Sequence, residues 1–151
     1  MGAIGGTSSI EIEAPIGKVY SAVADLEALP RWQPEIKVAE CLERDGDGTP
    51  VLVYVEIDVK VRRFSSDLRV TRGKGRVTWE QTDGDVKSVK GGWELEDLGS
   101  ERTRADYWMN VDLGRGLGLL IRGPAVSAFT GQLIKVVPQR LKRFVEDPPS
   151  G

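Results

Sequence analysis

From Val51 to Val61 every second residue is β-branched: Val51, Val53, Val55, Ile57, Val59 and Val61. Between them stand Leu52, Tyr54, Glu56, Asp58 and Lys60. Strand side chains alternate between two faces, so this stretch makes one apolar face and one mixed face. As a helix, the same residues would scatter the apolar set around the whole circumference. The stretch therefore belongs to a sheet that buries one side.

Its neighbours repeat the pattern. Ile36, Val38, Glu40 and Leu42 precede it, ahead of the turn Arg44-Asp45-Gly46-Asp47-Gly48. Phe64, Ser66, Leu68 and Val70 follow, ending near Arg72-Gly73-Lys74-Gly75. Val77 and Trp79 run to Asp83-Gly84-Asp85, and Val89, Gly91, Trp93 and Leu95 run to Leu98-Gly99-Ser100. Ala105, Tyr107, Met109, Val111 and Leu113 form the last strand, with Asp106, Trp108, Asn110 and Asp112 opposite. Turns this short join antiparallel neighbours, so the spacing predicts a meander. Earlier in the chain, Ser8 to Ala14 alternates Ile10 and Ile12 with Ser9, Glu11 and Glu13, which predicts one more strand. Pro15 suits a first helical turn, and Ile16, Val19, Tyr20 and Val23 share a helical face over 15–24. Asp25 to Leu29 reads as a second short helical turn that Pro30 ends and Pro34 keeps from restarting.

Beyond Leu113 the pattern changes. A Gly-rich connection (Gly114, Gly116, Gly118, Gly123) leads to Val126, Phe129, Leu133, Val136, Val137, Leu141, Phe144 and Val145, which keep a helical period to Glu146. Pro138 inside this long helix removes a backbone bond and predicts a kink near Ile134. Residues 147–151 read as a frayed tail. The expected fold is a single α+β domain over 1–151, with an ordered core of about 8–146. A curved seven-stranded antiparallel sheet wraps a long C-terminal helix, with two short helices after the first strand. The gap along the helix makes a natural apolar pocket.

Composition limits the chemistry. There is no histidine and one cysteine, Cys41. That excludes Ser-His-Asp and Cys-His catalysis, His-ligated metals, a CxxC redox pair and an intrachain disulfide. Cys41 has no basic neighbour to activate it and reads as a structural thiol. No metal and no cofactor is expected. Lys and Arg total 21 against 23 Asp and Glu, a balance that argues against a dedicated nucleic-acid binder. Residues 1–9 lack the basic start and apolar run of a signal peptide, and Leu117 to Ile121 is too short to span a bilayer, so a cytoplasmic protein is expected.

The opening SSIEIEAPIGKVYSAVADLEALPRWQP resembles the START-like, polyketide cyclase/dehydrase (SRPBCC) superfamily. The resemblance is carried by Ala14, Pro15, Val19, Tyr20, Asp25, Leu26, Leu29, Pro30, Trp32 and Pro34, and later by Gly91-Gly92-Trp93-x-Leu95 and the strand from Thr103 to Asp112. It implies a helix-grip fold with a deep hydrophobic cavity between sheet and C-terminal helix. The superfamily includes aromatic polyketide cyclases, lipid carriers, coenzyme Q-binding proteins with their ribosome-association relatives, and chaperone activators.

By alternation, the expected cavity residues are Tyr54, Phe64, Leu68, Trp79, Trp93, Tyr107 and Met109, with Phe129, Leu133 and Val137 on the helix. Trp32 joins them at the entrance that the resemblance implies. Any one of these, taken singly, is more often plain core. Catalytic candidates are Tyr54, Glu56, Asp58 and Tyr107 as acids or bases, with Arg63 as an oxyanion partner. Arg62 and Arg63 are adjacent, so one of them is expected to point inward. Such carboxylates more often stand at a strand's frayed or solvated end.

Residues 113–145 carry six basic residues (Arg115, Arg122, Lys135, Arg140, Lys142, Arg143) and no acidic ones. With Leu117, Leu119, Leu120 and Ile121, this strip could touch an anionic membrane surface transiently, or simply be a solvated helix face. Three functions stand at this point. The first is binding of a hydrophobic small molecule (lipid, isoprenoid or polyketide-like). The second is an aromatic polyketide cyclase or dehydratase working without metal or cofactor. The third is a coenzyme Q-binding or ribosome-association interaction protein.

Overall fold

The computed structural model of the chain describes residues 3–59, 62–116 and 124–146. Strand β1 (Ala3–Ile12) leads to α1 (Ile16–Ala24) and a 3₁₀ helix (Leu26–Arg31). Six strands follow: β2 (Ile36–Arg44), β3 (Pro50–Val59), β4 (Arg62–Gly73), β5 (Arg76–Gly84), β6 (Ser88–Gly99) and β7 (Arg102–Asp112). The C-terminal helical segment is α2 (Pro124–Thr130), a π turn (Gly131–Lys135) and α3 (Val137–Glu146). One seven-stranded sheet results, in the order β1-β7-β6-β5-β4-β3-β2. Every neighbouring pair is antiparallel. This is the expected α+β helix-grip arrangement.

Three boundaries depart from the sequence reading. β1 starts at Ala3, not Ser8, because residues 3–8 pair with Asp112 through Tyr107 of β7. The partner strand holds Gly5 and Gly6 extended, overriding their weak strand preference. Pro30 lies inside the 3₁₀ helix and does not end it, since its fixed φ suits that geometry. Finally, the long helix is interrupted. Pro138 offers no amide to the carbonyls of Leu133 and Ile134, and the turn before it widens until the Val136 amide donates to the Gly131 carbonyl at 3.2 Å. Lys60, Val61 and residues 117–123 and 147–151 lie outside the described residues.

The concave face of the sheet holds the core. Val53 and Val55 of β3, Phe64, Leu68 and Val70 of β4, Val77 of β5, Trp93 of β6 and Ala105, Tyr107, Met109 and Val111 of β7 are all buried there. α3 seats Val137, Leu141 and Val145 in this concavity. These positions recur every four residues, the spacing that puts side chains on one helical face. Two polar anchors fix the corners. The fully buried Thr103 hydroxyl donates to the Ala14 carbonyl at 2.8 Å, tying the end of β1 to β7. The Arg72 guanidinium donates to the carbonyls of Ala24 (2.7 Å) and Pro50 (2.5 Å), joining the end of α1 to the start of β3. A cation at a helix C-terminus also meets the negative end of the helix dipole. Among the described residues no helix is long and apolar enough to cross a membrane.

Gly91 and Gly92 have separate steric reasons. A Cβ at Gly91 would lie 2.7 Å from the Trp79 indole Nε1 and 2.9 Å from the Met109 sulfur on the concave face. A Cβ at Gly92 would lie 2.7 Å from the Val77 carbonyl on the convex face, with the Trp108 indole at 3.1 Å. Gly92→Ala is expected to cost about 1–3 kcal/mol by overpacking against backbone, a fall in Tm of about 2–4 °C per kcal/mol. Gly46→Ala meets nothing within 4 Å and serves as the control, with an expected change within about 0.5 kcal/mol. Thermal unfolding of both variants checks this, and an unchanged Tm for Gly92→Ala would refute the steric account.

Candidate functional site

The segment 32–35 connects the 3₁₀ helix to β2 and is clasped by α3 at two points. The Trp32 ring stacks on Phe144, with centroids 6.2 Å apart and planes 21° apart. Glu35, only slightly exposed, is ion-paired with Arg140. Gln33 lies between these contacts, and it lines a cavity enclosed by the sheet and the helical segment.

Nearly every element contributes to that cavity. Val23 comes from α1 and Leu26 and Leu29 from the 3₁₀ helix. The sheet supplies Ile36, Val55, Ile57, Leu68, Trp79, Trp93, Tyr107 and Met109, and the π turn supplies Leu133. An aromatic chain runs past it, from Trp79 to Tyr107 (6.1 Å), to Trp93 (4.6 Å), to Trp32 (6.4 Å). The free volume is about 40 Å³, little more than a few waters need. Among the described residues the cavity is small, whereas the sequence pointed to a deep one. A larger depression of about 460 Å³ on the convex face is open to solvent, lined by Thr71, Thr78, Glu80 and Lys90 among others. It converges on no buried polar group.

Polar chemistry inside the cavity is sparse. The Tyr107 hydroxyl donates to the Leu133 carbonyl at 3.3 Å, a long contact, at the turn that Pro138 leaves short of an amide. Burial pushes the Tyr107 phenol well above its ordinary pKa. The Gln33 side-chain amide makes no hydrogen bond among the described residues, although only 8% of the residue is exposed. No described lining residue is an Asp, Glu, Lys or Arg.

The structure brings six of the expected residues to the cavity: Leu68, Trp79, Trp93, Tyr107, Met109 and Leu133. Trp32, Phe64 and Val137 are buried in the same core beside it and do not line it. The Phe129 side chain lies outside the described residues. Tyr54 is a correction. Val53 and Val55 turn inward, so Tyr54, Glu56 and Asp58 stand on the convex face. There the Tyr54 hydroxyl donates to Glu56 at 2.6 Å, and that bond raises the phenol's pKa. Arg63 meets Glu56 at 3.3 Å and Asp58 at 3.9 Å. The four polar candidates thus form a surface cluster away from the cavity. Of the two adjacent arginines, Arg62 shares the face of Phe64 but is exposed at the end of β4, with its guanidinium over the Phe64 ring at 5.7 Å, and Arg63 is on the opposite face.

In the basic strip, Arg140 is held by Glu35, and Lys142 by Glu146 (2.5 Å) and the Glu11 carbonyl (3.1 Å). Arg115, Lys135 and Arg143 are exposed. Arg122, Leu117, Leu119, Leu120 and Ile121 lie outside the described residues. Sequence reasoning missed Val23, Leu26, Leu29, Gln33, Ile36, Val55 and Ile57. The β-branched row itself marked Val55 and Ile57; no local pattern marks Gln33.

A sheet gripping a C-terminal helix around an apolar cavity defines a START-like protein. The sequence matches the polyketide cyclase / dehydrase and lipid transport family over residues 12–143, and the chain belongs to that family. Among solved structures, a START superfamily protein from Mycobacterium smegmatis aligns with TM-score 0.83 at 22% identity, covering 96% of this chain and 99% of that one. A protein from Thermus thermophilus aligns with TM-score 0.79 at 19% identity, covering 98% and 99%. The Zhui aromatase/cyclase from Streptomyces sp. R1128 aligns with TM-score 0.70 at 15% identity, covering 99% of each chain. At these identities the likeness is one of fold. No curated protein matches the sequence.

The raised Tyr107 pKa has a consequence for stability. The unfolded chain loses this proton near the ordinary phenol value of about 10, whereas the folded chain retains it. Its contribution is therefore complete below that pH and is lost as pH rises further. Tyr107→Phe should remove about 1.4 kcal/mol per pH unit from the decline in stability between about pH 10 and pH 11. Urea denaturation across that range measures it. Parallel curves for wild type and variant would contradict the assignment.

Proposed function

We propose that this chain binds a hydrophobic small molecule in the cavity between the sheet and the C-terminal helical segment. The observation that carries this reading is the cavity lining. Eleven of the thirteen described residues around it are apolar or Trp, and the other two are Gln33 and Tyr107. A void in an otherwise close-packed core costs stability, by about 24 cal/mol per Å³ where it has been measured, so retaining one at the centre of the fold supports a ligand role. The family description, which includes lipid transport, points the same way.

Catalysis is less well supported. General acid–base work near neutral pH needs a group that gains and loses a proton there. Among the described lining residues only Tyr107 is titratable, and burial moves it away from neutrality. Tyr54, Glu56, Asp58 and Arg63 are on the convex face and have no access to a ligand in the cavity. The Zhui aromatase/cyclase is a structural neighbour, which keeps polyketide-like molecules among the candidate ligands. The coenzyme Q and ribosome readings rest on the family resemblance and the basic strip, and two cations of that strip are engaged within the chain.

A neutral fluorophore that brightens in apolar surroundings, N-phenylnaphthylamine, is expected to bind at one site per chain. Val55→Phe adds a ring to the cavity wall and should weaken that binding by about tenfold or more, a loss of about 1.4 kcal/mol. Fluorescence titration, with circular dichroism to confirm folding, reads both. If wild-type protein binds no such probe and carries no extractable lipid from its expression host, the proposal fails.

A further inference from the structure

Gln33 is an anomaly within the proposed site. A primary amide carries two donor hydrogens and a carbonyl acceptor. Burying one without partners costs about 1–3 kcal/mol on mutational scales. Gln33 is buried as a residue, borders the cavity and makes no side-chain hydrogen bond among the described residues, while its amide atoms keep some accessible surface and so stay open to a ligand. The main chain fixes its position: its amide donates to the Leu29 carbonyl at 2.9 Å, and its carbonyl accepts from Ile36 at 3.0 Å. The contacts of Trp32 with Phe144 and of Glu35 with Arg140 hold the residues on either side. The Trp32 indole Nε1 next to it is buried without an acceptor among the described residues.

Among the described residues, charge is missing where an acid would need it. The described lining has no Lys or Arg, and Arg140, on the helix beyond Val137, is already held by Glu35. An ionised carboxylate in such a cavity would be desolvated without a counter-charge, which is far costlier than burying a neutral carbonyl or hydroxyl.

Resting on the hydrophobic-binding reading, we propose that Gln33 recognises a neutral oxygen, carbonyl or hydroxyl, on an otherwise apolar ligand, and that the cavity rejects ionised fatty acids. Gln33 serves either kind of oxygen, donating to a carbonyl or accepting from a hydroxyl. The ligand class is therefore ketones, quinone-like carbonyls, phenols and long-chain alcohols.

The test displaces N-phenylnaphthylamine with decanol, decanoate and decane at neutral pH, on wild type and on Gln33→Leu. Decanol is expected to bind wild type at least about tenfold more tightly than decanoate. Gln33→Leu should weaken decanol about three- to tenfold, the range of one neutral hydrogen bond, and leave decane unchanged or improved. Gln33→Met should behave like Gln33→Leu, and it provides the readout if the leucine variant does not fold. Equal affinity for decanol and decanoate, or an equal loss for decanol and decane on substitution, would overturn the role of Gln33 while leaving hydrophobic binding intact. Failure of the probe itself to bind would remove the underlying reading, and this proposal with it.

Discussion

A sheet with one buried face needs a cover, and here the cover is a helical segment seated in the concavity. Val137, Leu141 and Val145 are buried against the sheet, each contributing on the order of 1.5–3 kcal/mol of transfer free energy. Directional contacts then fix how the segment sits. Phe144 stacks on Trp32, Arg140 pairs with Glu35, and the Leu133 carbonyl accepts the Tyr107 hydroxyl. Two of these reach the segment 32–35, so the position of Gln33 depends on the helix it faces. The cavity is what remains between cover and sheet once these contacts are made.

Most of the fold was legible because strand periodicity is a strong physical signal. Six strands separated by Gly- and Asp-rich turns leave few topologies open. Local reasoning failed where a partner overrode propensity. Gly5 and Gly6 look like a loop in isolation, yet β7 pairs with both. The interruption at Pro138 was readable from a missing amide. Its form, a π turn from Gly131 to Lys135, depends on how the chain redistributes its hydrogen bonds in three dimensions.

The site was legible only in part, and β3 explains why. Both of its faces carry large side chains, Val53, Val55 and Ile57 on one and Leu52 and Tyr54 on the other. Choosing by aromaticity selects Tyr54; choosing by the unbroken β-branched row selects the face that is buried. Glu56 and Asp58 share parity with Tyr54, so one choice of face misplaced all three. Gln33 was hidden for another reason. It stands in a non-repeating segment between Pro30 and Pro34, where a polar residue is ordinary. Only the fold reveals that this polar residue is turned inward.

The small volume then bears on how such a cavity selects. A ligand of lipid or polyketide size needs roughly 300 Å³ or more, against about 40 Å³ here. Room has to come from the walls, and the walls differ in stiffness. Trp93 and Tyr107 are cross-strand partners on two interior strands, with ring centroids 4.6 Å apart. Softer are Met109, two residues further along β7, whose unbranched side chain repacks readily, and Leu133, on a turn without regular α-helical bonding. Widening the cavity there costs rotamers and weak contacts, and leaves the sheet ladder intact. Binding free energy must cover that opening before it appears as affinity. A ligand that only fills space gains apolar area, whereas one that also meets the Gln33 amide gains a hydrogen bond that the described chain does not supply.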